Sequence, residues 1–541
     1  MTLANNNIFI IIVAIVLLIA GLIIGWLLGR RPQSDDGEKP PAKPEPRPVS
    51  FANNQIILAG TKSAINQFVD NTLTDFGFRL VRMPYREIPV RVFNQEAKYS
   101  KQVAGEEAFR QLSPDEAANQ VAVICGLVTE TFRIAENQQG LTLAQIQELA
   151  TNNGLIADRN YKTGRPVLVF EGDPESTEGF PFMDANPGAA EKAFFNQWAL
   201  HRPANNDGRV GIQLYNELFN PPGNDFDKPA DIEKTRTVKP AGQGVVVAVF
   251  DTSPYDNYKA LFDQDVAIPP PNSGGRSVQQ VTHYAVPGLP DARDHGLFGV
   301  SLIKAVAPEC ECRLYRVLND SNRGDLHILL QALDQFILDM AARNGNDQPL
   351  KNCVINLSLG ITIEPDELLS EGSLVPALAQ KLKCMHELGA VIVAASGNDS
   401  AELVNPMPAQ IPAAFDFVIG VGASNSSGGR SRFSNLGDVY APGGENNQAI
   451  PVICSETTDD DCVIGFAQSI SPDTKFAYWR GTSFSAPMVS GLAALLLDKG
   501  LEPAQVKGKI IAESTPMLPP VTTTAFGGQT GGIINIPKTV N

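Results

Sequence analysis

Three continuous apolar runs in the second half of the chain constrain the fold more than any other feature. They are "GVVVAVFD", "NCVINLSLG" and "AVIVAAS", and each has the uninterrupted apolar character of a strand that is buried on both faces. Between the last two lies "LVPALAQKLKCMHELG", which has the character of a helix. This strand–helix–strand order predicts an α/β fold, with a parallel sheet that has helices on both faces.

Polar residues stand where two of these strands end. Asp251 follows "VVVAVF", and Asn398 comes just after "AVIVAASG". Active sites of parallel sheets lie at the carboxyl ends of the strands, so both residues are candidates for chemistry. Each also has a structural alternative, because a carboxylate can cap the next turn and asparagine tolerates left-handed turn conformations.

A third candidate is Ser483 in "GTSFSAPMVSGLAALLL". A Gly-Thr-Ser turn here precedes an apolar stretch with the i, i+3, i+4, i+7 spacing of a helix, carried by Val489, Leu492, Ala493 and Leu496. Pro487 is expected in the first turn of this helix, where proline is tolerated. Ser483 could simply cap the helix. A nucleophilic serine would also need a base, a group that orients the base, and donors for an oxyanion.

His295 is the candidate base. The chain has 5 histidines, and this one opens the apolar helical stretch in "DARDHGLFGVSLIKAVAP". A single histidine at a helix start is usually structural. Together with Asp251, Asn398 and Ser483, however, it completes the set of groups that a serine nucleophile requires.

The order Asp, His, Asn, Ser, with these flanks, resembles the subtilisin-like serine peptidases, or subtilases. The matching segments cover residues 240–500 approximately and are "VVVAVFDTS", "DHGLFGVSLIKAVAP", "INLSLG", "VAASGN", "FSNLGDVYAPG" and "GTSFSAPMVSGLAALLL". "GGIINIPKTV" resembles the last core segment of the family. Ser253, Leu297 and Phe298 depart from the family's pattern. They leave the triad atoms in place and are expected at the floor or rim of the site.

The resemblance implies a subtilisin-like sheet and a serine endopeptidase that acts through an acyl-enzyme. Ser483 would attack the peptide carbonyl, His295 would transfer the proton, and Asp251 would orient the imidazole. Asn398 and the Ser483 amide would stabilise the oxyanion. The edge formed by Ser358, Leu359 and Gly360 would pair with substrate as an added strand.

Two other functional classes remain open. One is a catalytically silent subtilisin-like scaffold, which loss of a triad group would favour; no triad group is lost. The other is a serine hydrolase acting on esters. Its G-x-S-x-G nucleophile elbow is not matched, because "GTSFS" lacks the second glycine.

The N-terminus predicts a membrane anchor. "IFIIIVAIVLLIAGLIIGWLLG", residues 8–29, has no charge, and as a helix it would span about 33 Å, enough for one crossing of a bilayer core. A cleaved signal peptide is the alternative, but no Lys or Arg precedes the run. Residues 1–7 form a short tail before the anchor, and 30–50 a Pro-rich, extended linker after it.

Residues 51–175 predict a small α+β domain. "QIILAG", "FRLVRM" and "PVLVFEG" indicate strands, while "KSAINQFVDNTLTDFG" and "LTLAQIQELATNNG" indicate helices. The family resemblance implies a propeptide here, cut from the catalytic region between Asn160 and Phe194; a generic adaptor domain is the alternative. Residues 176–193 would connect it to a catalytic domain at 194–541.

The resemblance implies protein or peptide substrates as partners, and the apolar run at 8–29 adds the membrane. The net charge of −16 argues against nucleic acid. No metal-ligand cluster is evident and no cofactor is required; many relatives bind structural calcium, but "TTDDD" at 457–461 is interpreted as a solvated loop. The 7 cysteines do not resemble a disulfide framework, although Cys454 and Cys462 could bridge a loop and Cys310 and Cys312 could share one face of a strand.

Two features predict that the catalytic domain of this single-pass protein lies on the cytoplasmic side rather than outside. Lys and Arg accumulate on the cytoplasmic flank of membrane helices. None precedes residue 8, whereas Arg30 and Arg31 directly follow the apolar run. Scattered cysteines, odd in number, agree with a reducing compartment.

Overall fold

The computed structural model describes residues 51–84, 88, 90–93, 114–164, 182–183, 197–200, 210–215, 236–253, 292–320, 322–361, 375–400, 405–445, 462–467, 476–522 and 530–541. The chain divides by its contacts into Met1–Val49 and Ser50–Asn541. The anchor predicted at 8–29 and the linker at 30–50 lie outside the described residues. Within the described ranges, no helix is both long and apolar enough to cross a membrane.

The strands and helices are numbered here in chain order. The strands are β1 (Phe51–Gly60), β2 (Phe78–Arg82), β3 (Val90–Phe93), β4 (Val128–Asn137), β5 (Ile156–Gly164), β6 (Phe182–Met183), β7 (Val246–Asp251), β8 (Glu311–Arg316), β9 (Arg323–Asp325), β10 (Cys353–Leu357), β11 (Gly360–Ile361), β12 (Ala390–Ala395), β13 (Ile419–Ser424), β14 (Val439–Pro442), β15 (Val463–Phe466), β16 (Phe476–Trp479), β17 (Thr515–Thr522) and β18 (Thr530–Ile533). The helices are α1 (Lys62–Phe76), α2 (Pro114–Cys125), α3 (Leu143–Asn152), α4 (His295–Val306), α5 (Leu326–Asn344), α6 (Pro376–Glu387), α7 (Thr482–Asp498), α8 (Pro503–Glu513) and α9 (Ile536–Val540).

A nine-stranded sheet forms the centre of the region predicted to be catalytic, hereafter the catalytic region, in the order β17-β18-β14-β13-β12-β10-β7-β8-β3. The seven strands from β18 to β8 are parallel, while β17 and β3 are antiparallel edge strands. The predicted parallel sheet is therefore confirmed. The connection between β10 and β12 is α6, as the sequence indicates.

Both faces of this sheet are buried, which explains the unbroken apolar runs. In β7, Val247 and Val249 belong to one hydrophobic cluster, together with residues of α4 and α7. Val246 and Phe250 belong to a second cluster on the opposite face, together with residues of α5 and α6. Because successive side chains of a strand alternate between faces, a strand covered on both sides must be apolar at every position.

Residues 51–164 contain a second, antiparallel sheet. β1 pairs with β4 and β5, and β2 pairs with β4, so that β1 and β2 run parallel on either side of β4. Helix α1 connects these two strands. The helices end as the sequence predicts, because Gly77 and Gly154 follow them with φ of 68° and 79°. The strand predicted at "PVLVFEG" lies outside the described residues.

The N-terminal region docks on the catalytic region through strand β5. Asp158 Oδ2 accepts the backbone N–H of Ala377 at the start of α6, at 2.6 Å. Two residues further along the strand, Asn160 Oδ1 accepts the N–H of His327 at the start of α5, at 2.8 Å. Since helix starts carry unpaired N–H groups and partial positive charge, both contacts pair N–H groups at the starts of α6 and α5 that no carbonyl within the helix can accept. Burial raises the pKa of the Asp158 carboxyl to about 7.

The cysteines differ from the expectation of no disulfide framework. Cys125, the last residue of α2, is bonded to Cys384 in α6 across a sequence separation of 259 residues. Cys462 is disulfide-bonded as well. Cys454, which the sequence suggests as its partner, lies outside the described residues. Cys310 and Cys312 do share one side of the chain, with their sulfurs 3.6 Å apart.

Candidate active site

Asp251 and His295 meet where the end of β7 approaches the start of α4. His295 Nδ1 lies 2.8 Å from Asp251 Oδ1, and both side chains are 1 % exposed. Gly296 makes this approach possible. A Cβ at position 296 would overlap the Thr252 carbonyl oxygen and lie 2.8 Å from Asp251 Cβ. Any larger residue would therefore force the helix away from the strand.

Thr252 holds this corner together. Its hydroxyl donates to the carbonyls of Ala292 and Arg293 and accepts the N–H of Gly296 at 3.1 Å. Its own N–H donates to Asp251 Oδ1 at 2.6 Å. Asp251 Oδ1 therefore contacts two nitrogens, and the carboxylate is fixed from the strand side and from the helix side.

Two aromatic residues contact His295, and a third packs behind them. Its ring centroid lies 5.4 Å from that of Trp479, in an edge-on arrangement, and 5.1 Å from that of Phe484. Phe298 packs against both aromatics, at 5.8 Å and 4.4 Å. Phe484 directly follows Ser483, so these contacts bring the imidazole to the first turn of α7.

The three departures from the family's pattern are all buried. Phe298 is fully buried among the aromatics, and Leu297 is 3 % exposed. Ser253 is buried too, and its carbonyl accepts a hydrogen bond from Arg316. Their place at the floor or the rim of the site stays a prediction. Asp251 and His295 keep their 2.8 Å contact beside these residues.

Helix α7 presents Ser483 at its second residue. The preceding Gly481 has φ of 145°, which favours glycine. Pro487 lies in the second turn of the helix, later than expected, and has no N–H to donate to the Ser483 carbonyl. Ser358 Oγ donates to that carbonyl instead, at 2.9 Å. Ser483 Oγ lies 3.4 Å from the Ser358 carbonyl.

Asn398 lies beside the same turn. Its Oδ1 accepts both the N–H and the hydroxyl of Thr482, each at 3.0 Å. Because an amide has its donors and its acceptor on different atoms, these two contacts orient the side chain with Oδ1 on Thr482 and the NH₂ group on the other side. Asn398 is thus held next to Ser483 with a defined amide orientation.

The edge formed by Ser358, Leu359 and Gly360 is paired in this structure. Gly164 of β5 is the antiparallel partner of Gly360, and on its other side it pairs with Arg323 of β9. Strand β5 of the N-terminal region therefore lies between β11 and β9. Because the pairing is antiparallel, β5 runs toward Ser358 and the nucleophile.

The structure brings all the sequence-predicted site residues to one end of the sheet. Sequence reasoning missed Thr252, Thr482, Trp479 and Phe484, which hold these groups. Thr482 had a signal in "GTS", since it directly precedes the nucleophile, whereas the aromatic contacts depend on packing. No group of three or more His, Cys, Asp or Glu that could hold a metal ion occurs in the described part of the chain.

Comparison with known proteins identifies the family. The model of the subtilase family matches residues 242–528. The chain belongs to the subtilase family. An alkaline serine protease of Corniculantispora psalliotae is 29% identical over 269 residues, which cover 48% of this chain and 56% of the relative. Subtilisin DY of Bacillus licheniformis is 30% identical over 218 residues, 39% of this chain and 64% of the relative.

The chain thus spans less than two thirds of the length of both relatives. Among solved structures, the epidermin leader peptide processing serine protease of Staphylococcus aureus is similar, with 17% identity, a TM-score of 0.49 and coverage of 90% of this chain and 98% of that one. The prediction of a subtilisin-like serine peptidase fold is confirmed at the level of the family.

Proposed function

We propose that this subtilase is a serine endopeptidase whose triad is Asp251, His295 and Ser483. The observation that carries the proposal is the 2.8 Å contact between Asp251 Oδ1 and His295 Nδ1. It orients the imidazole and stabilises the charged form that arises when His295 takes the serine proton. The contact between the His295 ring and Phe484, the neighbour of Ser483, supports the role of His295 as the base for this serine.

In this mechanism Ser483 attacks the peptide carbonyl, and the resulting oxyanion is stabilised by the Asn398 NH₂ group and the Ser483 N–H. The orientation of Asn398 on Thr482 supports this role. Loss of one such donor costs about 10²–10³ in kcat, a magnitude that comes from subtilisin, a member of the same family. His295 then returns the proton to the leaving amine, and water hydrolyses the acyl-enzyme.

Ser483→Ala tests the catalytic assignment. The substitution removes only one oxygen, so the free energy of unfolding should stay within about 0.5 kcal/mol of the wild type, while peptide cleavage disappears. A fluorophosphonate probe should label the wild type and not the variant. Absence of labelling would favour the silent scaffold, and cleavage of esters but not of a peptide library would favour an esterase. Peptide cleavage above buffer by the variant would refute the assignment.

We further propose that residues 51–175 are an inhibitory propeptide. Their strand β5 occupies the edge at Gly360 that a substrate would use, and Asp158 and Asn160 satisfy the starts of α6 and α5. Antiparallel pairing directs the chain beyond Gly164 toward Ser483, so we expect cleavage shortly after Gly164, within the predicted interval from Asn160 to Phe194.

Two fragments test this proposal. A catalytic fragment that begins at residue 190 should refold poorly alone, and the fragment 51–175 should increase its yield and then slow peptide turnover. A control fragment with Gly164→Pro should rescue folding but inhibit less, because proline cannot donate to the edge strand. An adaptor domain would change neither quantity.

We propose that residues 8–29 anchor the protein in a membrane, as the length of the uncharged run supports. The expected cytoplasmic placement was based partly on free cysteines, and that premise is wrong for Cys125 and Cys384. Disulfides persist in oxidising compartments, so we propose the extracytoplasmic side, against the charge bias at Arg30 and Arg31.

A further inference from the structure

Gln410 lies between the predicted substrate edge at Gly360 and the proposed oxyanion residue Asn398. A Cβ at Gly360 would overlap Gln410 Oε1, and a Cβ at Gly397 would lie 2.9 Å from Gln410 Cδ. Gly360 belongs to the edge that pairs with β5, and Gly397 directly precedes Asn398. The Gln410 side chain therefore closes the gap between these two backbone segments.

The substrate residue that faces Gln410 follows from strand geometry. Directly opposite residues of an antiparallel pair point to the same face, so the partner of Gly360 points to the side where Gln410 lies. Side chains return to one face every second residue. Two residues beyond this partner, the paired substrate strand lies opposite Ser358, whose carbonyl is 3.4 Å from Ser483 Oγ. Gln410 thus lies on the face of the substrate strand to which the side chain of the residue before the scissile bond points, next to the partner of Gly360.

The Gln410 amide has a defined orientation. Its Nε2 donates to Asp399 Oδ2, and because a carboxylate only accepts, the NH₂ group must face Asp399. Asp399 is itself held by Asn435, whose Nδ2 donates to the same oxygen at 3.0 Å. Gln410 Oε1 therefore points away from this network, toward Gly360.

This oxygen is buried and has no donor among the described residues. A buried acceptor without a hydrogen bond is rare because its desolvation is uncompensated. A substrate side chain with an N–H or O–H group would supply the missing donor, whereas an apolar side chain of equal size would leave it unpaired.

We propose that Gln410 determines specificity and selects a hydrogen-bond donor, such as a glutamine amide, in the residue before the scissile bond. The proposal rests on the proposed peptidase function. Discrimination between a donor and an apolar analogue should be at least about tenfold in kcat/KM, since sites built around a hydrogen bond reject analogues that lack it.

The test compares two peptides that differ only in Gln or Met before the scissile bond, which are nearly equal in size. The wild type should prefer Gln, Gln410→Met should lose this preference, and Gln410→Glu should shift it toward Lys. Gln505→Met, on the exposed side of α8, is the matched control and should keep the wild-type ratio. Equal cleavage of both peptides by the wild type would overturn the proposal, whether or not the variants fold. Cleavage of neither, nor of a peptide library, would instead refute the peptidase function.

A second inference rests on a different observation, the bond between Cys125 and Cys384. Cys125 belongs to the N-terminal region and Cys384 to α6 of the catalytic region. The start of the same helix is held by Asp158. Cys125 precedes the interval from Asn160 to Phe194 in which cleavage is expected, and Cys384 follows it. A cut there therefore leaves the two regions covalently joined.

We infer that the cleaved protein stays inhibited until this disulfide is reduced. A tethered inhibitor acts at an effective concentration in the millimolar range, so cutting the backbone alone does not dilute it away. Cys125 is partly exposed and Cys384 is buried, which makes the Cys125 sulfur the point of attack. A thiolate of a dithiol reductant attacks it, Cys384 leaves with the electron pair and is protonated, and the second thiol of the reductant resolves the mixed disulfide.

The test uses the cleaved full chain. Without reductant it should run as one species on a denaturing gel, and with dithiothreitol as two, accompanied by at least a fivefold rise in peptide turnover. Cys125→Ser should separate after cleavage without reductant and show no rise, and Cys353→Ser, which removes a buried free thiol, should behave as the wild type. Two species without reductant, or unchanged turnover after reduction, would overturn the inference. Fluorophosphonate labelling of the reduced protein checks the peptidase function separately.

Discussion

Gly296→Ala should damage catalysis through geometry alone, because position 296 touches neither substrate nor the reacting atoms. The added Cβ would lie 2.8 Å from Asp251 Cβ and 2.8 Å from Leu314 Cδ1, and it would overlap the Thr252 carbonyl. Two of these neighbours belong to buried strands of the central sheet, so the start of α4 must move instead.

The size of this movement sets the expected loss. Restoring ordinary carbon–carbon contact requires a shift of at least about half an ångström. The contact between His295 Nδ1 and Asp251 Oδ1, now 2.8 Å, would then approach the limit of a hydrogen bond. Misplacement on this scale costs about 10²-fold in catalysis, and overpacking of the core costs about 1–3 kcal/mol of unfolding free energy.

Peptide kcat/KM and urea denaturation measure the two effects on the same preparation. Gly508→Ala, in α8, is the matched control, since its added Cβ meets nothing within 4 Å. It should leave kcat/KM unchanged and raise stability by about 0.5–1 kcal/mol through helix propensity. A folded Gly296→Ala enzyme with wild-type kcat/KM would show that the close approach of α4 and β7 does not position His295.

Further predictions concern the docked N-terminal region, the oxyanion residue and the membrane. The Asp158 carboxyl has its pKa raised from 3.8 to about 7, so docking of the N-terminal region takes up a proton. Inhibition should therefore weaken as the pH rises toward about 7 and change little above it. Asp158→Asn, which keeps an acceptor for Ala377, should give an inhibition constant independent of pH. Thr482→Val removes one of the two hydrogen bonds to Asn398 Oδ1 and should lower kcat several-fold with little change in KM; an unchanged kcat would mean that the backbone N–H alone orients the amide. Proteolysis of intact cells should shorten the membrane-bound protein, and protection until lysis would restore the cytoplasmic placement.

The sequence could indicate the proposed triad because each member stands at a local boundary. Asp251 ends an apolar run, His295 opens a helical stretch and Ser483 opens another. In a parallel sheet the carboxyl ends of strands meet at one edge, so these boundaries converge once the fold class is known. The contacts that hold the triad in place, such as Thr252 with Gly296 and Phe484 with His295, depend on tertiary packing and leave no periodic signal.

The disulfide could not be predicted for a related reason. Cys125 and Cys384 are 259 residues apart, and pairing of cysteines follows from the docking of two regions rather than from their spacing. No helix or strand is predicted from the sequence for Pro114–Cys125, so no spatial neighbour of Cys125 is predicted either. The expectation of a reducing compartment treats the scattered cysteines as free, and this premise does not hold for Cys125 and Cys384.

If β5 belongs to an inhibitory propeptide, as we propose, inhibition and substrate binding depend on the same atoms. Gly164 is held at Gly360 by backbone pairing, which any extended peptide can reproduce. This part of the contact therefore gives no advantage to the N-terminal region over a substrate. The advantage comes from groups that a short substrate lacks, namely Asp158 on α6, Asn160 on α5 and the bond to Cys384. Because all three act on α5 and α6 rather than on Ser483, we expect pH or reduction to relieve the proposed inhibition without any change in the proposed catalytic groups.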